Sequence, residues 1–271
     1  MVKAVEPSVH LVAKPAIDWE SLADFLEEVG AKEWWLTRYP ESLSDESGLN
    51  SEGAGATLIE IMGRNCYRSW EPGLNPNVVR VRQEQDEYLQ NIVSVGHGSV
   101  LEHANYSFVF NNISRVATHE LVRHRHEAIS QESLRFVRLQ DLPVWIPPWA
   151  QEDEELMTRA LSLLNEMEEF QRWMSVHFGL DDEGVPFSEK KHKTSFMRRF
   201  APIGVATKIG WTANVRSLRH IIESRTSLGA EEEIRLIFDQ VAQLMSEELP
   251  ALFFDAERTS EGEWRFDSHK V

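Results

Sequence analysis

The sequence predicts an α+β fold. Apolar residues recur at helical spacing over most of the 271 positions, few stretches alternate as strands, and strands and helices do not succeed one another as regular βαβ units. The first helix is expected from Asp18, with Trp19, Leu22, Phe25 and Leu26 on one face. "SDESGLNSEGAG" (44–55) is polar and glycine-rich, as a linker is. Its "GAG" lacks the preceding strand and third glycine of a dinucleotide-binding loop. Helices are expected over 56–68 and from Val78 to Val95, ending at Gly96. "ANYSFVFNNIS" (104–114) alternates as a strand with Tyr106, Phe108 and Phe110 on one side. Ser114 is placed to cap a helix over "RVATHELVRH". "LPVWIPPW" (142–149) reads as an edge strand ended by prolines. A long helix over 151–178, a strand over 205–213 and helices over 214–225 and 231–249 complete the pattern. The expected organisation is an N-terminal extension (1–54), a main domain (55–255) and a polar C-terminal tail (256–271).

Composition narrows the functions. A formal net charge of −16 argues against general binding to nucleic acid or anionic membranes. No stretch approaches the length of a membrane span, and the N-terminus has no apolar run of the kind found in signal peptides, so a cytoplasmic location is expected. One cysteine, Cys66, excludes an internal disulfide framework, and a small buried core position is expected for it. The nine tryptophans are scattered, as core anchors are.

Positive charge is concentrated in two places. From Val185 to Arg225 there are nine Lys or Arg against two acids, Glu189 and Glu223, and "RHRHEAISQESLR" (123–135) opens on alternating arginines and histidines. Two such islands fit either a small anionic ligand or two solvated faces. Arg forks suit phosphate and carbonyl oxygens, and Ser133 with Arg135 adds a hydroxyl, a turn amide and another fork. His97, His103, His119, His124 and His126 invite a metal reading. His119 and His124 are five apart rather than four, however, and no HExxH pattern accompanies them, so no metal site is expected.

"RHRHEAISQES" fits the Arg-His-Arg, seven residues, Ser signature and so resembles the flavin-dependent thymidylate synthases, the ThyX type. "THELVRHRH", "GHGSVLEH" (96–103), "MRRFAPIG" (197–204) and "WTANVRSLRHIIESR" (211–225) extend the resemblance over about 57–250, leaving the N-terminal extension without a counterpart. The resemblance implies a small antiparallel sheet packed with long helices and a homotetramer whose sites are shared between subunits. It implies that Arg123, His124 and Arg125 contact FAD, with Arg123 also reaching the nucleotide. Glu120, Gln131, Ser133, the Leu134 amide and Arg135 would hold the nucleotide, and Arg198 would reach its phosphate from another subunit. His97, Ser99, Glu102, Gln131, Asn214, Arg216 and His220 would contact the flavin. Arg225 would be the catalytic arginine that polarises the pyrimidine and favours ionisation at N3. Asn214 and Arg225, eleven apart, return to within about 20° of one helix face and stand roughly 16 Å apart along the axis. Methylenetetrahydrofolate and NADPH are the implied co-substrates.

Four positions depart from common members: Gly98, Ser130, Phe136 and Gly229. None removes an arginine, but they leave dUMP and UMP both open as the nucleotide. The expected activity is C5-methylation of a uridylate, dUMP first and UMP as the alternative. A non-catalytic nucleotide- or RNA-binding protein is the reading from a different class.

Overall fold

The computed structural model describes residues 3–39, 53–71, 75–139, 141–269 and 271. Strands β1 (Lys3–Ala4) and β2 (Ser8–Ala13) come first, followed by helices α1 (Trp19–Glu28), α2 (Lys32–Arg38), α3 (Ala54–Tyr67) and α4 (Gln85–Ser94). A 3-10 turn (Gly98–His103) leads into β3 (Asn105–Ser114), α5 (Arg115–Leu121), β4 (Glu127–Gln131) and β5 (Pro143–Val144). Next are α6 (Pro148–Gln151), α7 (Glu154–His177), α8 (Phe187–Met197), a 3-10 turn (Arg198–Phe200) and β6 (Ala206–Asn214). The chain closes with α9 (Val215–Thr226), α10 (Glu232–Glu248), a third 3-10 turn (Pro250–Leu252), β7 (Ala256–Arg258) and β8 (Trp264–Phe266). The α+β expectation holds. The main sheet runs in the order β2-β3-β6-β4. β1 pairs parallel with β5, Lys3 opposite Pro143, and β7 pairs antiparallel with β8.

The chain divides into two compact units. One comprises 1–10, 109–211 and 231–237; the other comprises 11–108, 212–230 and 238–271. In the second unit, Leu22 and Leu26 of α1, Trp35 of α2 and Ile61 of α3 form a cluster with Trp70, whose ring meets Trp35 edge-on at 6.3 Å. Arg64 lies at its side, wholly buried. Its guanidinium binds Glu60 at 2.7 Å and the carbonyls of Ser69 and Arg82, and it stacks on Trp34 and Tyr88 at 4.7 and 4.2 Å. Each of its three nitrogens thereby donates a hydrogen bond, which is what makes a buried cation tolerable. Burial pushes the Tyr88 phenol up to about 12. Gly55 has a packing reason: a Cβ there would lie 1.9 Å from the Tyr106 hydroxyl.

Several expectations need correction. The expected helix over 78–95 begins only at Gln85. Val78–Val81 places two adjacent branched residues and a third at 81, which weakens a helical start, and Val79 is 99% exposed. Residues 142–149 give a two-residue strand and then a helical turn with proline at its start, where the missing N–H costs nothing. Cys66 is exposed rather than a core residue. The C-terminal tail is a hairpin that buries Trp264 and Phe266, and β1 and β2 tie the N-terminal extension into sheets. Residues 44–52 of the expected linker lie outside the described residues.

Candidate functional site

The first group of expected site residues lies in the unit containing 109–211. The N-cap of α5 is Ser114, as the sequence predicts; its Oγ accepts the Ala117 amide at 3.2 Å. Ser114 is itself anchored. Its amide donates to Glu233 at 2.6 Å and its hydroxyl donates to the other oxygen of the same carboxylate. Glu233 is 1% exposed. Burial pushes its carboxyl above the ordinary value, and the two bonds from Ser114 offset part of that rise. The start of α5 is therefore fixed by a buried contact, and its other end delivers the cationic turn.

At that turn the amides of Arg123 and His124 donate to the carbonyls of Glu120 and Leu121 at 3.3 and 3.2 Å. His126 takes a left-handed φ of 66°, which redirects the chain into β4. Arg123 and Arg125 are exposed and His124 is half-buried. The Trp211 indole donates to the Glu127 carboxylate, which joins β4 to β6, and Gln131 Nε2 donates to Thr118 Oγ1 at 3.2 Å. A second turn follows at once. The Ser133 carbonyl accepts the amides of Phe136 and Val137, both at 3.0 Å, and its Oγ accepts the Arg135 amide at 3.3 Å. Thr194 of α8 clamps the turn by donating to the Arg135 carbonyl at 2.9 Å. Gln131, Ser133, Leu134 and Arg135 thus share one compact segment.

Electrostatics set this region apart. Among the described residues, Arg123, Arg125, Arg135 and Arg198 make no ion pair, in a chain with 44 acids to 28 bases. The Nε of Arg135 is buried without a hydrogen-bond partner. Arg198 begins the 3-10 turn after α8, and its charge bears on Arg115 of the same chain. Sequence reasoning missed Arg115. The available signal was a cation at the first position of a helix, where the dipole disfavours it.

The second group lies in the unit containing 11–108 and 212–230. The Val215 amide donates to the Ala104 carbonyl at 3.0 Å, and Ser107 and Thr212 share a 2.8 Å hydroxyl bond; these contacts hold the start of α9 beside the 3-10 turn. Asn214 caps α9, accepting the Ser217 amide at 2.9 Å, so its carbonyl oxygen is used while its NH2 remains a donor. Arg216 binds Glu102 at 2.6 Å. Its guanidinium also fills the space above Gly98, where a Cβ would meet Nε at 2.9 Å. The family departure at Gly98 is therefore matched by the placement of Arg216. His97 stacks edge-on against Tyr67 at 5.1 Å, and its Nδ1 is buried without a partner. Ser99 and His220 are exposed, and Arg225 is half-buried in the last turn of α9.

A flavin fits this chemistry. Within this unit, the unpartnered His97 Nδ1 and the remaining Asn214 NH2 are groups that a polar heterocyclic cofactor satisfies. Cys66 is exposed, and Ser133 Oγ accepts a backbone amide, so neither side chain is prepared as a nucleophile by a base.

Residues 49–251 match the family described as "Thymidylate synthase complementing protein". A flavin-dependent thymidylate synthase of Mycolicibacterium gilvum is 36% identical over 217 residues, 76% of this chain and 81% of that protein. One from Mycobacteroides abscessus is 34% identical over 263 residues, covering 94% of this chain and 92% of the relative. That alignment reaches into the first 54 residues, so the N-terminal extension has a counterpart after all. The crystal structure of thymidylate synthase X from Helicobacter pylori with FAD and dUMP has a TM-score of 0.49 at 24% identity, covering 74% of this chain and 93% of that one. The family match over 49–251 and the identity of 34–36% to these two relatives, on a chain carrying the Arg-His-Arg signature at 123–125, place it in the thymidylate synthase complementing protein family, that of the flavin-dependent thymidylate synthases.

Proposed function

We propose that this protein catalyses FAD-dependent reductive methylation of dUMP at C5, giving dTMP. Methylenetetrahydrofolate supplies the carbon and NADPH the electrons. The observation that carries the reading is that Arg123, Arg125, Arg135 and Arg198 make no ion pair among the described residues of a strongly acidic chain. Unpaired cations at fixed positions are a cost that an anionic ligand removes.

The Ser133–Arg135 turn, with Gln131, the Leu134 amide and Arg198, holds the nucleotide's sugar and phosphate through charge-assisted bonds. Arg123 lies between nucleotide and flavin, with Glu120 one helical turn before it. His97, Ser99, Glu102, His124, Arg125, Asn214, Arg216 and His220 orient the flavin. Arg225 places a permanent cation against the pyrimidine and stabilises negative charge at N3 and the adjoining carbonyl oxygens, which activates C5 without a covalent bond to the enzyme. When bound, FAD supplies the hydride equivalent that such a reduction needs. Residues 55–255 form the catalytic portion, and the active assembly is a homotetramer. The exposed aromatic face of Phe170, Trp173, Phe196 and Phe200 supports association between copies.

Incubation of the purified protein with FAD, NADPH and methylenetetrahydrofolate, with dUMP and UMP in parallel, tests the proposal by product mass. The dUMP product is expected to be heavier by one methylene group. A mass gain on UMP alone would reassign the substrate, and a gain on neither would refute the catalytic reading.

A further inference from the structure

Arg225 stands in the last turn of α9, the part of a helix whose carbonyls lack partners within the helix and which frays first. α9 has only 12 residues, a length at which an isolated helix is marginal in water. Its first turn is held by Asn214 and by the Val215 amide on the Ala104 carbonyl. Its last turn is held by the hairpin of β7 and β8, which lies beyond residues 49–251, the extent of the family match.

Thr226, the final residue of α9, is wholly buried. Its hydroxyl donates to the Ile222 carbonyl at 2.8 Å and accepts the Trp264 amide of β8 at 2.9 Å, so one oxygen ties the end of the helix to the strand. Ser227 then leaves the helix with φ −58° and ψ 148°. Two turns earlier, Arg219 pairs with Asp255 and lies over the Phe266 ring at 4.3 Å, while Asp255 also accepts the Ser268 amide at 3.0 Å. The exposed His269 reaches Glu223 at 3.2 Å. At 100° per residue, positions 219, 223 and 226 fall within about 60° of one another, and position 225 lies about 130° from their mean. The hairpin therefore grips one face of α9 and leaves the face bearing Arg225 outside that grip.

A two-stranded hairpin is marginal by itself, and this one is fastened in turn. Asp239 of α10 accepts the Trp264 indole N–H at 2.8 Å and two bonds from Arg258 of β7, at 2.6 and 3.1 Å. Burial of Trp264 and Phe266 explains why the hairpin docks, but apolar contact is non-directional and does not select where the last helical turn stops. The Thr226 hydroxyl does, because its loss leaves the buried Trp264 amide without an acceptor.

We infer that Thr226 is a positioning residue for the reaction: through the Trp264 amide it fixes the last turn of α9, and with it the direction of the Arg225 fork against the pyrimidine. The inference rests on the reading of Arg225 as the group that polarises the pyrimidine. It gives the C-terminal hairpin a part in that site, as the brace behind the helix.

The test is a double-mutant cycle on the full-length, FAD-loaded protein. Dissociation constants for dUMP are measured by titration calorimetry for wild type, Thr226→Val, Arg225→Ala and the double variant, in all of which the phosphate contacts remain. Valine keeps the shape of threonine and removes the hydroxyl. Thr226→Val is expected to weaken dUMP binding about 10-fold when Arg225 is present and less than about twofold when it is alanine, because a displaced fork matters only where there is a fork. Thr226→Ser, which keeps the hydroxyl, is expected to stay within about threefold of wild type. Equal losses in both backgrounds, or no loss in a Thr226→Val protein that holds flavin like wild type, would overturn the inference. An Arg225→Ala protein that binds and converts dUMP as wild type does would instead overturn the Arg225 reading, and the inference with it. Should Thr226→Val not fold, amide hydrogen exchange on the wild type decides. The amides of residues 223–226 are expected to exchange as slowly as those of 219–222, and exchange about 100-fold faster, the mark of a fraying end, rejects the proposal.

Discussion

Arg64 and Arg219 are almost wholly buried and each is paired with a carboxylate, whereas Arg123, Arg125, Arg135 and Arg198 make no ion pair among the described residues. Within α9, Arg219 and Arg225, six residues apart, are expected to serve different ends. Arg219 forms a bidentate pair with Asp255, both bonds at 2.9 Å, and also donates to the Leu252 carbonyl. Burial tends to raise the Asp255 carboxyl, but the bonds and charge of Arg219 outweigh it and hold the group below its ordinary value of 3.8. Such a depressed carboxyl stabilises the fold above the ordinary value, and that contribution is lost as pH falls through the folded one. Arg219→Ala leaves the carboxylate buried without its partner and is expected to cost about 3–5 kcal/mol. Arg225→Ala, in contrast, is expected to melt within a few degrees of wild type and to retain flavin while losing turnover. Thermal melts and rate assays on both variants check the separation. A large loss of stability in Arg225→Ala would show that it, too, is structural. Motif spacing located these residues, but it could not divide them by role, because burial and pairing depend on partners distant in sequence.

Helix α5 is seven residues long, too short to be stable in isolation, so tertiary contacts must hold it. Ser114 was legible as its cap from the residue type and the helix that follows. Glu233, which holds Ser114 from 119 residues away, was not, since nothing local marks it. β3 was readable because Tyr106, Phe108 and Phe110 alternate strictly and are all buried. β4, "EAISQ", was not, because its mixed polar residues carry no alternation and its place is set by neighbours such as Trp211. α7 leaves Leu156, Leu163 and Phe170 exposed while it buries Glu168, Gln171 and Met174. At this scale Glu233 makes a prediction. Its carboxyl is raised above its ordinary 4.5, so between the ordinary and folded values the folded state holds the proton more tightly. Wild-type stability therefore falls as pH rises through that window. Glu233→Gln cannot ionise, so its melting temperature relative to wild type is expected to improve from about pH 4.5 upward. A difference that is constant with pH would contradict the buried-carboxylate account.

Across the whole molecule, an acidic surface and two cationic segments coexist because the two serve different functions. Net negative charge opposes general attraction to polyanions, while a small anion can approach arginines that make no ion pair among the described residues. The signature at 123–135 made the activity legible without a fold. The helix from Asp18 was legible near the start of the chain, but β1, β2, β7 and β8 were not, since such short strands are recognised only through their pairing. The central claim is that flavin oxidation and nucleotide methylation are one event. It is tested most directly by mixing anaerobically reduced, FAD-loaded protein with methylenetetrahydrofolate, with and without dUMP, while following flavin absorption and nucleotide mass. The account predicts reoxidation that requires dUMP and yields one methylated nucleotide per flavin oxidised. Reoxidation that proceeds equally without dUMP, or leaves the nucleotide's mass unchanged, would contradict it.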